Sequence, residues 1–131
     1  MKVVIAGSAS LENEIQEWVK YWSAQENCSV LNYPKPISSD KLEKLYPEVH
    51  KNFFKDINQA DVLFIANEKK KNINGYIGAE TFAELNFGLA KKLIEGKDIK
   101  LILAHMPARE VDCYDEILLW NKLGWIDRIM E

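Results

Sequence analysis

The stretch Asn74-Gly75-Tyr76-Ile77-Gly78-Ala79-Glu80-Thr81-Phe82-Ala83-Glu84-Leu85 concentrates the residues of this chain that could do chemistry. Its glycines, Gly75 and Gly78, let the backbone approach a ligand closely. The residues after them read as the start of a helix, whose free N–H groups and positive dipole end suit a sugar hydroxyl, a phosphate or a carboxylate. Glu84 falls near the first turn of that helix and has two readings. Thr81-x-x-Glu84 fits the Ser/Thr-x-x-Glu capping box, in which the glutamate only returns a hydrogen bond to the cap N–H. In the other reading Glu84 is a working carboxylate. Glu80 and Glu84 are four residues apart, so within a helix they share a face, and mutual repulsion raises the pKa of one towards that of a useful acid. Tyr76 is placed to stack on a base or cover a sugar, or else to anchor its loop.

Several other constellations are missing. The sequence has neither Gly-x-x-x-x-Gly-Lys-Ser/Thr nor Gly-x-Gly-x-x-Gly, the loops that cradle phosphates in nucleoside triphosphatases and in ordinary dinucleotide-binding proteins. The first strand ends in Ala6-Gly7 without an acidic pair, which argues against a magnesium-holding receiver domain. His50 and His105 have no neighbouring ligand in sequence and read as structural or surface residues, and Lys69-Lys70-Lys71 reads as a solvated loop. Neither a metal nor an organic cofactor is expected.

The elements that must position the motif follow from periodicity. Residues 2 to 6 form a Val/Ile-rich run, cut off by Gly7-Ser8-Ala9-Ser10, that suits a strand buried on both faces. Ile15, Trp18, Val19 and Trp22 put an apolar stripe on a helix over 11 to 25. Residues 29 to 33 read as a strand and 34 to 39 as a loop. A helix then runs from Ser39 or Asp40 towards Ala60, with Val49, Phe53 and Ile57 inward and Pro47 expected in its first turn. Residues 62 to 66 are a third strand, and 67 to 79 a polar connection longer than the roughly 2–6 residues usual between strand and helix. Long loops at the carboxyl ends of parallel strands are where such proteins keep their ligands, which brings Asn67 into the candidate site along with Gly7 and Ser8. A helix over 80 to 95 carries Phe82, Leu85, Leu89 and Leu93 and stops at Gly96. Residues 99 to 104 are a fourth strand, and 111 to 130 contain a last amphipathic helix interrupted by Gly124. Strand and helix alternate throughout, which predicts a parallel sheet flanked by helices.

Composition bounds the rest. At 131 residues, with 47% hydrophobic and 28% charged residues, the chain reads as one globular domain over 1–131 with an ordinary core. Lys plus Arg is 17 against 20 for Asp plus Glu, a net charge of −3, and no basic stripe offers a grip on nucleic acid. No apolar run approaches the roughly 18 residues of a membrane span. The two cysteines, Cys28 and Cys113, have no ligand-like spacing and no signal-peptide pattern precedes them, so a cytoplasmic setting is expected. Leu118, Leu119, Trp120, Leu123, Trp125, Ile126, Ile129 and Met130 wrap more of a terminal helix than one buried face needs, which predicts a homo-oligomer, a symmetric dimer in the simplest case.

Ala60-Asp61 before the third strand, Gly75-Tyr76-Ile77-Gly78, and Thr81-x-x-Glu84-Leu85-x-Phe87-x-x-Ala90 together resemble the nucleoside 2-deoxyribosyltransferase superfamily, including its nucleotide N-glycosidase branch. The resemblance is strongest over residues 56 to 104, and Gly7-Ser8 extends it to the first strand. It implies a flavodoxin-like, Rossmann-like three-layer sandwich with a four- or five-stranded parallel sheet. It also implies that Glu84 is the nucleophile that attacks the anomeric carbon of a nucleoside, deoxynucleoside or nucleotide, and that a neighbouring chain often completes the pocket. Asp56 resembles an aspartate of that family that contacts the base. The family places an aspartate six residues before its nucleophile, where this chain has Gly78, so Glu80 or Glu68 must stand in for it or turnover is lost. The expected function is therefore cleavage or transfer of an N-glycosidic bond through a glycosyl ester, with a nucleotide-sensing module of the same fold as the alternative.

Overall fold

The Val3-Val4-Ile5-Ala6 run has no polar side chain to turn towards water, and in the computed structural model, which describes residues 1–131, it forms β1 (Lys2–Ala6) at the sheet interior. The chain continues through α1 (Glu12–Ser23), β2 (Ser29–Asn32), a 3-10 turn at Ser39–Lys41, α2 (Leu42–Gln59), β3 (Val62–Ile65), α3 (Ala79–Glu95), β4 (Lys100–Leu103), α4 (Tyr114–Lys122) and β5 (Arg128–Ile129). The five strands are all parallel, in the order β2-β1-β3-β4-β5. This is the flavodoxin-like order, whose switch point lies between β1 and β3. No helix is long and apolar enough to cross a membrane.

Alternating residues of the strands feed two cores. Val4, Ala6, Leu63, Ile65, Leu101 and Leu103 meet Phe53 and Ile57 of α2, Leu85 and Leu89 of α3 and Ile117 of α4. Val3, Ile5, Val62 and Phe64 meet Ile15 and Trp22 of α1, with Trp18 against the Phe64 ring at 4.5 Å between centroids. Strands covered on both faces read as continuous apolar runs, which is why β1 and β3 are plain in the sequence. Gly96 ends α3 in the left-handed conformation (φ 65°), with the cap N–H bonded to the Lys91 carbonyl.

Three sequence expectations are corrected. Pro47 lies inside α2, as its sixth residue and beyond its first turn, because the 3-10 turn at Ser39–Lys41 leads straight into Leu42 and the helix is already under way there; the carbonyl that Pro47 leaves without an N–H belongs to Glu43, an exposed residue. Gly124 does not interrupt a long helix. With φ 76° it follows the end of α4, and the chain turns into β5, where Asp127 and Met130 donate their N–H groups to the carbonyls of Leu101 and Leu103. The dense terminal apolar stretch is therefore divided between a short helix and an edge strand. Ile126 is buried, Trp120, Trp125 and Ile129 rest on the core, and of the eight residues only Leu119 and Leu123 stay largely exposed. The premise behind the oligomer expectation thus shrinks to two leucines.

Candidate functional site

The carboxyl ends of β1 and β2 open onto a chamber of about 550 Å³ lined by Tyr33, Pro34, Ile37, Tyr46, His50 and Phe53, together with Gly7 and with Glu80 and Glu84 of α3. A second, smaller cavity of about 280 Å³ shares Gly7 and Glu80 with it and adds Ser8, Lys70, Tyr76, Gly78 and Thr81. The first space has the volume of an ordinary small-molecule pocket, and the second lies at the amino end of α3. Aromatic and apolar walls with a few convergent polar groups are the usual composition of small-molecule sites.

Glu84 is the unusual group. Gly78 is the N-cap of α3 and makes no side-chain cap bond, so Thr81 is the third residue of the helix and Glu84 the sixth, beyond the reach of a capping box. The capping reading fails because the helix begins at Ala79, three residues earlier than it requires. Glu84 is only 5% exposed, lines the chamber and makes no hydrogen bond within the protein. Burial, and then the Glu80 charge one turn away, push its carboxyl from 4.5 up to about 8. Glu80 is exposed and accepts a 2.9 Å hydrogen bond from the Tyr46 hydroxyl of α2. That bond raises Tyr46 above its ordinary phenol value, with burial and the charges of Glu80 and Glu84 adding to it.

The other sequence-selected residues divide into lining and scaffolding. Gly7, Ser8, Tyr76, Gly78 and Thr81 line the cavities. Gly75 does not: it is buried, its φ is 64°, and an added Cβ would lie 2.7 Å from Pro107 Cα and 2.8 Å from the Met106 carbonyl oxygen. Asn67 is buried as well, donating to the carbonyls of His105 (2.7 Å) and Gly75 (3.4 Å) and accepting from the His105 N–H, so it ties the 67–79 connection to the end of β4. Asp56 stays outside the chamber and accepts from the Asn32 amide at 2.9 Å, while the Asn32 oxygen receives the Tyr33 N–H. It thus orients the segment that carries Tyr33. Glu68 is held elsewhere by His105 and Trp18 and cannot replace the missing aspartate. Gly75→Ala is expected to lower the unfolding free energy by about 1–3 kcal/mol through left-handed strain and backbone overlap. Chemical denaturation measures this, and unchanged stability would refute the scaffolding role.

Sequence reasoning missed the β2–α2 wall. Its signal was the position of 34–39 after a strand end, since ligands gather at the carboxyl ends of parallel strands. Tyr46 and His50 gave no such signal, because each reads as an ordinary helix-surface residue. Lys70 is not simply solvated, as the Lys69-Lys70-Lys71 run suggests: its Nζ reaches Ser8 Oγ at 2.6 Å. A two-residue hairpin turn aims it there: Lys70 and Ile73 exchange both backbone bonds, with Lys71 and Asn72 at φ 52° and 62°. Cys113 is buried and its thiol is pushed up to about 11, chiefly by desolvation, which disfavours the reactive thiolate. No group of three or more His, Cys, Asp or Glu side chains is arranged to hold a metal ion.

The fold and site together define an α/β protein with a carboxylate-lined chamber at the carboxyl-end side of its parallel sheet, near the topological switch point. No protein-family model matches the chain, and no curated protein matches it.

Proposed function

We propose that this protein cleaves or transfers the N-glycosidic bond of a nucleoside, deoxynucleoside or nucleotide, with Glu84 as the nucleophile. The observation that carries the reading is Glu84 itself, a carboxyl without a hydrogen-bond partner, buried beside an aromatic chamber of about 550 Å³. Such a group gains nothing for the fold and has no charge partner to hold it there. Breaking a C1′–N bond builds positive charge on the sugar, which a carboxylate stabilises and traps as a glycosyl ester. The base would lie among Tyr33, Tyr46 and His50, with Asp56 orienting Asn32 behind it. The sugar's 5′ side would face Ser8, Lys70 and the free N–H groups of α3, where Tyr76 covers the cavity.

Purified protein incubated with the common ribo- and deoxyribonucleosides and their 5′-monophosphates, with and without an added free base, is expected to release base or exchange it. Chromatography of the free bases reads the result. Gly78 favours a second reading, a nucleotide-sensing module that binds without turnover, because the resemblance calls for an aspartate there. Saturable binding without any base release would establish that alternative.

A further inference from the structure

Tyr46 comes from α2, 38 residues before Glu84 in sequence, yet its hydroxyl sits within 2.9 Å of Glu80 Oε2 and 3.2 Å of His50 Nδ1. Its ring lies flat on the His50 ring, with centroids 5.0 Å apart and planes at 16°. A hydroxyl has one proton to give. It goes to the Glu80 carboxylate, while His50 Nδ1 lies beside the same hydroxyl oxygen. Helical spacing puts Glu80 on the same face as Glu84, about 5–6 Å away between Cβ atoms.

This arrangement answers a difficulty in the glycosidic reading. A carboxyl that holds its proton at neutral pH cannot attack a sugar, and the departing base needs a proton that Gly78 cannot supply. We propose that Tyr46 is a positioning residue that fixes the Glu80 carboxylate beside Glu84, so that Glu80 receives the Glu84 proton before attack and delivers it to the departing base. The proposal rests on the N-glycosidic reading above.

The steps balance without another reagent. Glu84 passes its proton to Glu80. A Glu84 oxygen then bonds to C1′ as the C1′–N bond breaks, and the electron pair of that bond stays on the base, which takes the proton from Glu80. Neutral base, ionised Glu80 and a Glu84 glycosyl ester remain. Water next attacks C1′, giving its proton to Glu80 while the ester bond returns its electrons to Glu84, and the proton moves back to Glu84. One proton shuttles between two carboxylates, which neighbouring acids hold more readily than two charges. The charged and titratable groups bordering the shuttle are Glu80 and Glu84 of α3, Tyr46 and His50 of α2, Tyr33 and Lys35 from the segment after β2, and Lys70 and Tyr76 across the smaller cavity. Burial and the Glu80 charge hold Glu84 up to about 8, in keeping with a resting proton on that residue.

Tyr46→Phe keeps the ring and removes only the hydroxyl, so thermal melting should match that of the unmodified protein. With a nucleoside or 5′-monophosphate that releases base, kcat should fall roughly 10- to 100-fold, a part of the roughly 10²–10⁴-fold that general acid–base catalysis supplies. KM should change less than about threefold, and the pH profile of kcat should shift. Carbon-13 NMR of glutamate-labelled protein gives a readout independent of turnover: in Tyr46→Phe part of the Glu84 titration should move to lower pH, because Glu80 now competes for the proton. Superimposable Glu84 titrations, or an unchanged kcat and pH profile, would overturn the role of Tyr46 while leaving the glycosidic reading in place. Failure of every nucleoside and monophosphate to release base would overturn that reading and the proton delivery with it.

Discussion

Glu84→Gln is expected to abolish base release, by roughly 10³-fold or more, equivalent to about 4 kcal/mol of barrier, while the protein stays folded and still binds its nucleoside. The amide has the shape of the protonated acid that burial favours, so the chamber keeps its form. It cannot form the glycosyl ester, and the other carboxylates are engaged: Glu80 is held by Tyr46, Glu68 by His105 and Trp18, and Asp56 by Asn32. Isothermal titration of the variant with a nucleoside, beside chromatography of released base, separates the outcomes. A variant that turns over like the unmodified protein would remove Glu84 as nucleophile. If the unmodified protein binds but releases nothing, and the variant does the same, the sensing module is the correct reading. A capping glutamate would have cost about 0.5–2 kcal/mol of stability on replacement; with Glu84 six residues into α3, no such loss is expected.

The sequence announced some of these elements and concealed others for identifiable reasons. β1 and β3 are buried on both faces, so Val3 to Ala6 and Val62 to Ile65 stand out as unbroken apolar runs. α3 shows through its buried Leu85 and Leu89 and its left-handed Gly96. β5 had no comparable signal: it is two residues, Arg128 and Ile129, and depends on the exposed edge of β4 for its backbone bonds. The helix-bearing half of the site was legible, since Gly78, Glu80 and Glu84 fall in one local pattern. The opposite wall was not, because Tyr33, Tyr46 and His50 face α3 only through the parallel topology, which packs α2 on α3 and leaves the end of β2 open onto the same chamber. Gly75 and Asn67 were recognisable as special positions. Their neighbours at Met106, Pro107 and His105, more than 30 residues further on, make them scaffold.

The difference in unfolding free energy between Glu84→Gln and the unmodified protein should itself depend on pH, growing from near zero below about pH 4.5 to a few kcal/mol in the variant's favour above about pH 8. The sign follows from the direction of the shift. Burial and the Glu80 charge raise Glu84 from 4.5 to about 8 in the folded protein, while the unfolded chain ionises at the ordinary value. Below 4.5 both states carry the proton and the group is neutral to stability. Between 4.5 and 8 the unfolded chain releases a proton that the folded protein keeps, so stability falls as pH rises, at about 1.4 kcal/mol per pH unit for one group. Above 8 both states are ionised and the loss is complete. Glutamine has no proton to hold, and every other titrating group is common to both proteins, so their contributions cancel in the difference. Glu80→Gln should end the decline at a lower pH and so shrink the total loss, because it deletes the neighbouring charge and leaves the burial. Urea unfolding of the three proteins at half-unit intervals from pH 4 to 9 measures this. A flat difference would mean that Glu84 ionises as readily in the folded protein as in the unfolded chain, and that the chamber holds no resting proton.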